Sequence, residues 1–102
     1  MNTKELLELH RETSDKCRKI MEQKNSDYTG GEKSKDIFAN FRAASFLHIH
    51  PAKGILLRMM DKVQRINSFC NDGSLKVSGE TVDDACEDIV NYAILLKAML
   101  KE

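Results

Sequence analysis

The stretch at residues 55–69, ILLRMMDKVQRINSF, decides how this chain is read. On a helical wheel Leu56, Met59, Met60, Val63, Ile66 and Cys70 fall on one face, and Arg58, Asp61, Lys62 and Arg65 on the other. Apolar residues at three- and four-residue steps specify an amphipathic helix. The polar face has a feature of its own. Asp61 stands one turn from an arginine on either side, within side-chain reach. Such an array is either a surface ion-pair ladder, at about 0.3–0.5 kcal/mol per pair, or half of a site that handles charge.

Moving toward the N-terminus, His48, Ile49, His50 and Pro51 precede this helix. Proline disfavours a helical conformation at the residue before it, so a turn is expected there. Two histidines two residues apart share a face only in an extended chain, and a solvated turn explains them as well as a metal pair does. Residues 37–49, IFANFRAASFLHI, place Phe38, Phe41, Ala44 and Phe46 or Leu47 near helical spacing. This predicts a short helix that plugs the core with phenylalanine. Asn40 lies within it, and a buried amide there needs partners. Residues 24–36, KNSDYTGGEKSKD, read as a loop, with Asn25, Ser26, Asp27, Gly30 and Gly31 as turn formers. Tyr28 within it needs the core edge or a planar ligand to pack on. Before the loop, a helix capped by Thr3 runs to about Lys24. Its stripe is Leu6, Leu9, His10, Thr13, Cys17, Ile20 and Met21, with His10 read as a hydrogen-bonded core histidine.

Moving toward the C-terminus, residues 71–80, NDGSLKVSGE, form another loop, pinned by Leu75 and Val77. The last helix is predicted from about Glu80 to Lys101, with Val82, Cys86, Ile89, Ala93, Leu96 and Leu100 on its apolar face. Glu80, Asp84, Glu87 and Asn91 form the opposite stripe, with Asp88 beside Asp84. The helix dipole accounts for acidic residues in the first turn, but not for Glu87, Asp88 and Asn91 further in. From Ile89 to Leu100 only Asn91, Tyr92 and Lys97 are polar. A helix that is apolar nearly all round is buried on both sides. That predicts a homo-oligomer, a dimer or larger, closed through Tyr92, Ile94, Leu95 and Met99.

Composition bounds the rest. The chain has 102 residues, 41% of them hydrophobic, which suits a single helical domain spanning residues 1–102. Sixteen basic and sixteen acidic side chains cancel, so no overall field favours nucleic acid or an anionic membrane. No apolar run approaches the ~18 residues of a membrane span. MNTKELLELH is amphipathic and lacks a signal-peptide core, which makes the cytosol the expected address. Cys17, Cys70 and Cys86 read as small buried hydrophobes in a reducing compartment. The expected architecture is all-α: four helices in an antiparallel bundle, the second one short.

Neighbouring antiparallel helices can turn carboxylates into one cleft. Asp61 on one helix and Asp84, Glu87 and Asp88 on the next are hard oxygen ligands of the kind Mg²⁺ prefers. Arg58, Lys62 and Arg65 beside Asp61 can take phosphate oxygens. The order KNSDYTGG, NFRAA, LLRMMDKVQRI and ETVDDACEDIVNYAILL resembles a family of small phage proteins, the nucleotide-modification-associated family. That family is related to the MazG-like all-α nucleoside triphosphate pyrophosphatases. The resemblance covers about residues 10–100. It implies a MazG-like bundle, Mg²⁺ held by Asp61, Asp84, Glu87 and Asp88, and a nucleotide site formed by Lys24, Asp27, Tyr28, Asn40, Arg58, Lys62, Arg65, Asn91 and Tyr92. The wider superfamily carries a Glu-x-x-Glu pair and a Glu-x-x-Asp pair that hold Mg²⁺ for attack of water on the phosphate chain. Here the first pair is reduced to Arg58 and Asp61, and Ala85 stands where the second glutamate would be. The functional expectation is therefore a Mg²⁺-dependent nucleotide-binding protein, either a pyrophosphohydrolase or a non-catalytic binder that sequesters a nucleotide or assists a DNA-modifying enzyme.

Overall fold

A few capping side chains set helix boundaries in this protein, and the described residues form three long helices, one short α-helix and one 3-10 helix. The structure, a computed structural model, describes residues 1–29, 37–74 and 81–102, and the side chains of all of these except 26–29, 39, 40 and 43. All regular structure among the described residues is helical: α1 (Thr3–Thr29), α2 (Ala39–Arg42), a 3-10 helix (Ala43–Leu47), α3 (Pro51–Asp72) and α4 (Val82–Met99). The chain forms two compact units, Met1–Ile37 and Phe38–Glu102.

The first unit is α1. Its cap is Asn2 rather than the expected Thr3: Asn2 Oδ1 accepts the Glu5 N–H at 2.9 Å, and Asn2 Nδ2 donates to Glu5 Oε1 at 3.2 Å. Arg11 pairs with Glu8 and Asp15, and Arg18 with Glu22, all on exposed side chains. The helix continues to Thr29 instead of ending near Lys24. Asn25, Ser26 and Asp27 have modest helix propensity, but nothing in the run forbids α geometry before Gly30. Cys17 is buried, and Thr13, Ile20 and Met21 are half-buried, as the stripe requires. Leu6, Leu9 and His10 are exposed, so His10 is not the core histidine expected. Periodicity tells which residues share a face, not how far along the helix that face is covered.

The second unit carries the core. Phe38, Phe41, Ala52, Ile55 and Met99 are buried together, with Met59, Tyr92, Leu95, Leu96 and Ala98 packed against them. The expected phenylalanine helix is only partly formed. After Arg42 the chain tightens into the 3-10 helix, and the Ser45 hydroxyl donates to the Arg42 carbonyl at 2.7 Å. Ser side chains that bond to the preceding turn compete with α geometry. His48 then turns into the left-handed region at φ 56, and the helix stops. Phe38 and Phe41 plug the core as anticipated, whereas Phe46 is 86% exposed. This segment is too short to serve as a bundle helix, and the expected four-helix bundle gives way to three long helices among the described residues.

Pro51 occupies the first turn of α3, where its missing N–H costs nothing. His50 caps the helix, its Nδ1 accepting the Ala52 N–H at 3.0 Å. That bond fixes His50 as part of the turn. At the other end Gly73, at φ 74, donates to the Phe69 carbonyl at 2.7 Å, so α3 runs two residues past the expected Cys70. Thr81 and Asp84 form a capping box on α4: Asp84 N–H donates to Thr81 Oγ1 at 3.1 Å, and Thr81 N–H to Asp84 Oδ2 at 3.0 Å.

α3 and α4 are antiparallel neighbours. Ala52 and Ile55, early in α3, meet Met99 late in α4, and Lys62, later in α3, reaches Asp88 near the start of α4. This contact reassigns two helix faces. Of the expected α3 stripe, Met59 and Ile66 are withdrawn from solvent, but Leu56, Met60, Val63 and Cys70 are exposed. On α4, Cys86, Ala93 and Leu100 are exposed, while Ala85, Glu87 and Asn91 are buried. Met99, Tyr92 and Leu95, expected at a subunit interface, belong to the core of the chain itself; only Ile94 of that set is exposed. Arg42 on α2 ties down the C-terminus through Glu102 at 2.7 Å.

The difference between the phenylalanines is measurable. Phe38→Ala should lower unfolding stability by about 3–5 kcal/mol, as expected for an emptied aromatic site. Phe46→Ala should change it by less than about 0.5 kcal/mol. Urea melts of the two variants give this comparison directly.

Candidate functional site

One helical turn beyond the core, the facing sides of α3 and α4 become polar. Lys62 comes from the middle of α3. Its side chain is only 13% exposed, and its Nζ lies 3.1 Å from Asp88 Oδ2, whose side chain is 21% exposed. The same Nζ lies 4.0 Å from Asp61 Oδ2. Asp61 also receives Arg65 Nε at 3.2 Å, one turn on along α3. Two carboxylates from two helices therefore converge on one ammonium. Their surroundings differ. The Asp61 side chain is 56% exposed, so water screens its pairs. The Lys62–Asp88 pair is largely withdrawn from water and its charge-assisted bond is correspondingly stronger.

Beside this array lies an open depression of about 380 Å³, lined by Leu57, Arg58, Asp61, Lys62 and Tyr92. Arg58 does not pair with Asp61 as the sequence suggested. Its guanidinium lies over the Phe41 ring, 5.0 Å from the centroid. Stacking on an aromatic face holds an arginine in place while leaving its N–H groups exposed for a ligand. The lining thus offers two cations, one carboxylate, an aromatic ring and a leucine. Three of its five lining residues are charged and the depression is open to solvent, so it is an open, charge-lined surface and not the enclosed apolar pocket typical of small-molecule sites.

The expected site residues divide by position. Arg58, Asp61, Lys62 and Tyr92 line the depression, and Arg65 and Asp88 join it through ion pairs. Asn91 is buried on α4, as is Glu87, and both are engaged by neighbouring groups, although the buried Asn91 Oδ1 accepts no hydrogen bond from a described residue. Asp84 is half-buried and its carboxylate serves the capping box, which takes it out of the expected metal set. Among the described residues no three His, Cys, Asp or Glu side chains gather as metal ligands, so Asp61, Asp84, Glu87 and Asp88 do not form a ready-made cage. Lys62 Nζ lies within 4.0 Å of both Asp61 and Asp88, and Asp84, a turn earlier on α4, is committed to the cap. Lys24 is exposed on α1, in the first unit. Asp27 and Tyr28 sit in the last turn of α1, and Asn40 in α2, with side chains outside the described ones; Gly30, Gly31, Leu75, Val77 and Glu80 also lie outside the described residues. Sequence reading missed Leu57 and the role of Phe41 as a platform. Leu57 stands next to Arg58 on the charged side of α3, and a large apolar residue on a charged face is the signal that would have found it.

Comparison with protein-family models, with curated proteins and with solved structures returned no match. No described helix is long and apolar enough to cross a membrane.

The two ion pairs should separate in a double-mutant cycle. The Lys62–Asp88 pair should show a coupling of about 1–2 kcal/mol, and the exposed Asp61–Arg65 pair no more than about 0.5 kcal/mol. Chemical unfolding of the single and double alanine variants supplies both values.

Proposed function

We propose that this chain is a Mg²⁺-dependent nucleotide-binding protein of the MazG-like type, with its site on the α3–α4 pair. The observation that carries the reading is the convergence of Asp61 and Asp88 within 4.0 Å of one cationic centre, at the edge of a depression that also holds Arg58 and Tyr92. Mg²⁺ is bound by one or two carboxylates when substrate phosphates and water complete its shell. Asp61 and Asp88 supply that number without the full carboxylate cage. Asp61 and Asp88 would hold such a metal, and the Lys62 ammonium would then be available to a phosphate oxygen. Arg58, held by Phe41, meets the phosphate chain from the outer side, and Tyr92 with Leu57 offers the apolar surface for a base or sugar. When bound, the metal supplies charge neutralisation and phosphate orientation.

Binding without turnover fits this geometry better than hydrolysis. The capping role of Asp84 and the alanine at position 85 leave the chain short of the carboxylates that activate water in the resembled enzymes. The protein then acts by holding a nucleotide, as a sequestering or accessory component.

Calorimetric titration with a panel of common and modified nucleoside triphosphates, with and without Mg²⁺, tests both statements. The expected result is Mg²⁺-dependent binding with no release of phosphate or pyrophosphate. Asp61→Asn with Asp88→Asn should weaken it by about tenfold or more, equivalent to ~1.4 kcal/mol, with helical circular dichroism retained. Asp84→Asn should lower stability by about 1 kcal/mol through the cap and leave affinity unchanged. Product release would assign a pyrophosphohydrolase instead. Unaltered affinity in the Asp61/Asp88 variant would remove the site.

A further inference from the structure

The face of α4 turned away from α3 carries its own pattern. Asp88, Tyr92, Leu95 and Met99 lie on the α3 side. Roughly opposite them around the helix are Asp83, Cys86, Val90, Ala93, Ile94 and Lys97, and all six are exposed. Val90 is 36% exposed and Ile94 51%, both large for β-branched residues in the middle of a helix. Within α4 these six are all of the exposed residues, and only Asp83 and Lys97 among them are charged. Neither forms an ion pair with a described residue.

Their placement is symmetric. Asp83, Val90 and Lys97 are seven residues apart in succession, a spacing that keeps side chains on one side of a helix. Val90 is at the middle, with the acid and the base each about 10 Å away along the axis. A two-fold axis at Val90, perpendicular to the helix, places Asp83 of one chain opposite Lys97 of the other, twice over. The same operation stacks Val90 on its equivalent and brings Cys86 toward Ile94. A parallel pairing would instead oppose acid to acid and base to base.

We propose that this strip is an isologous interface, on which α4 of a second copy of the chain packs antiparallel about Val90. The apolar centre supplies the attraction, and the two end charges fix direction and register, as flanking charges do in paired helices. The strip excludes every residue assigned to the nucleotide site, so association and nucleotide binding are separable properties.

Charge reversal tests both the occupant and the register. The wild-type chain should sediment as a dimer at high micromolar concentration. Asp83→Lys alone and Lys97→Asp alone should each weaken association by about tenfold or more, because each opposes like charges at both ends. An equimolar mixture of the two variants should associate like the wild type, since each chain then meets its complement. Val90→Glu, which sets two carboxylates at the axis, should be monomeric with unchanged helical circular dichroism. A wild-type monomer would overturn the proposal and leave the strip to a different protein. Single reversals that dimerise normally, or a mixture that stays dissociated, would overturn it as well. Loss of association by misfolding is distinguished by the mixture, because a misfolded chain is not rescued by its complement.

Discussion

The antiparallel contact between α3 and α4 is the constraint on which the second unit depends. It is apolar at one end, where Ile55 is fully buried among Ala52, Phe38, Phe41 and Met99. It is ionic at the other, where Lys62 lies between the helices against Asp88. The apolar end supplies the stabilisation, since each fully buried large side chain contributes on the order of 1.5–3 kcal/mol. The ionic end contributes less per residue, because a half-buried pair gives up hydration to form. What it gives is position. Lys62 meets its carboxylate only if α3 and α4 are aligned as they are, so the pair selects one register from those an apolar seam alone would tolerate.

The same contact explains which parts of the fold were legible in the sequence. In the second unit the ends of α3 and the start of α4 were readable to within a residue or two, because turn chemistry is local: Pro51 opens α3, Gly73 closes it, and Thr81 caps α4. Amphipathicity of α3 was readable too, but not the direction of its buried arc. Its apolar residues cover more than one helix neighbour can bury, and the packed side proved to be Ile55, Met59, Lys62 and Ile66 rather than Leu56, Met60 and Val63. A lysine on that side cannot be inferred from hydropathy. Its long stem packs like an aliphatic chain while its ammonium reaches a carboxylate on the next helix.

α4 shows the limit more sharply. Its sequence is apolar nearly all round, so its periodicity points weakly in any direction. The stripe read as opposite the apolar face, Asp84, Glu87 and Asn91, is half-buried to buried, and Cys86 and Ala93 of the expected apolar face are exposed. Asp84 serves the cap and Glu87 is engaged by a neighbouring group, and for these two, electrostatic and hydrogen-bond partners overrode hydropathy. Asn91 is also engaged, but its buried Oδ1 accepts no hydrogen bond from a described residue. The placement of Asp61 and Asp88 on the same side of the helix pair, both within 4.0 Å of Lys62 Nζ, was legible before the contact was known. It required only that two acidic positions on sequential helices face a common seam, which short connections favour. The lysine standing between them was not legible as such, since it was grouped with the phosphate-binding cations and not with the carboxylates.

That lysine bears on how such a site is kept ready. Two carboxylates on packed helices repel each other and cost stability unless something positive stands between them. A resident metal is one solution, and a resident ammonium is another. With the ammonium, the helix pair is stable before any ligand arrives, and the carboxylates are already oriented. On the proposed function, an incoming cation would have to displace a charge-assisted bond of 3.1 Å, and the phosphates of a nucleotide–metal complex would give the displaced ammonium a new anionic partner. The lysine on the seam between the two helices would then favour Mg²⁺ delivered with phosphate over free Mg²⁺.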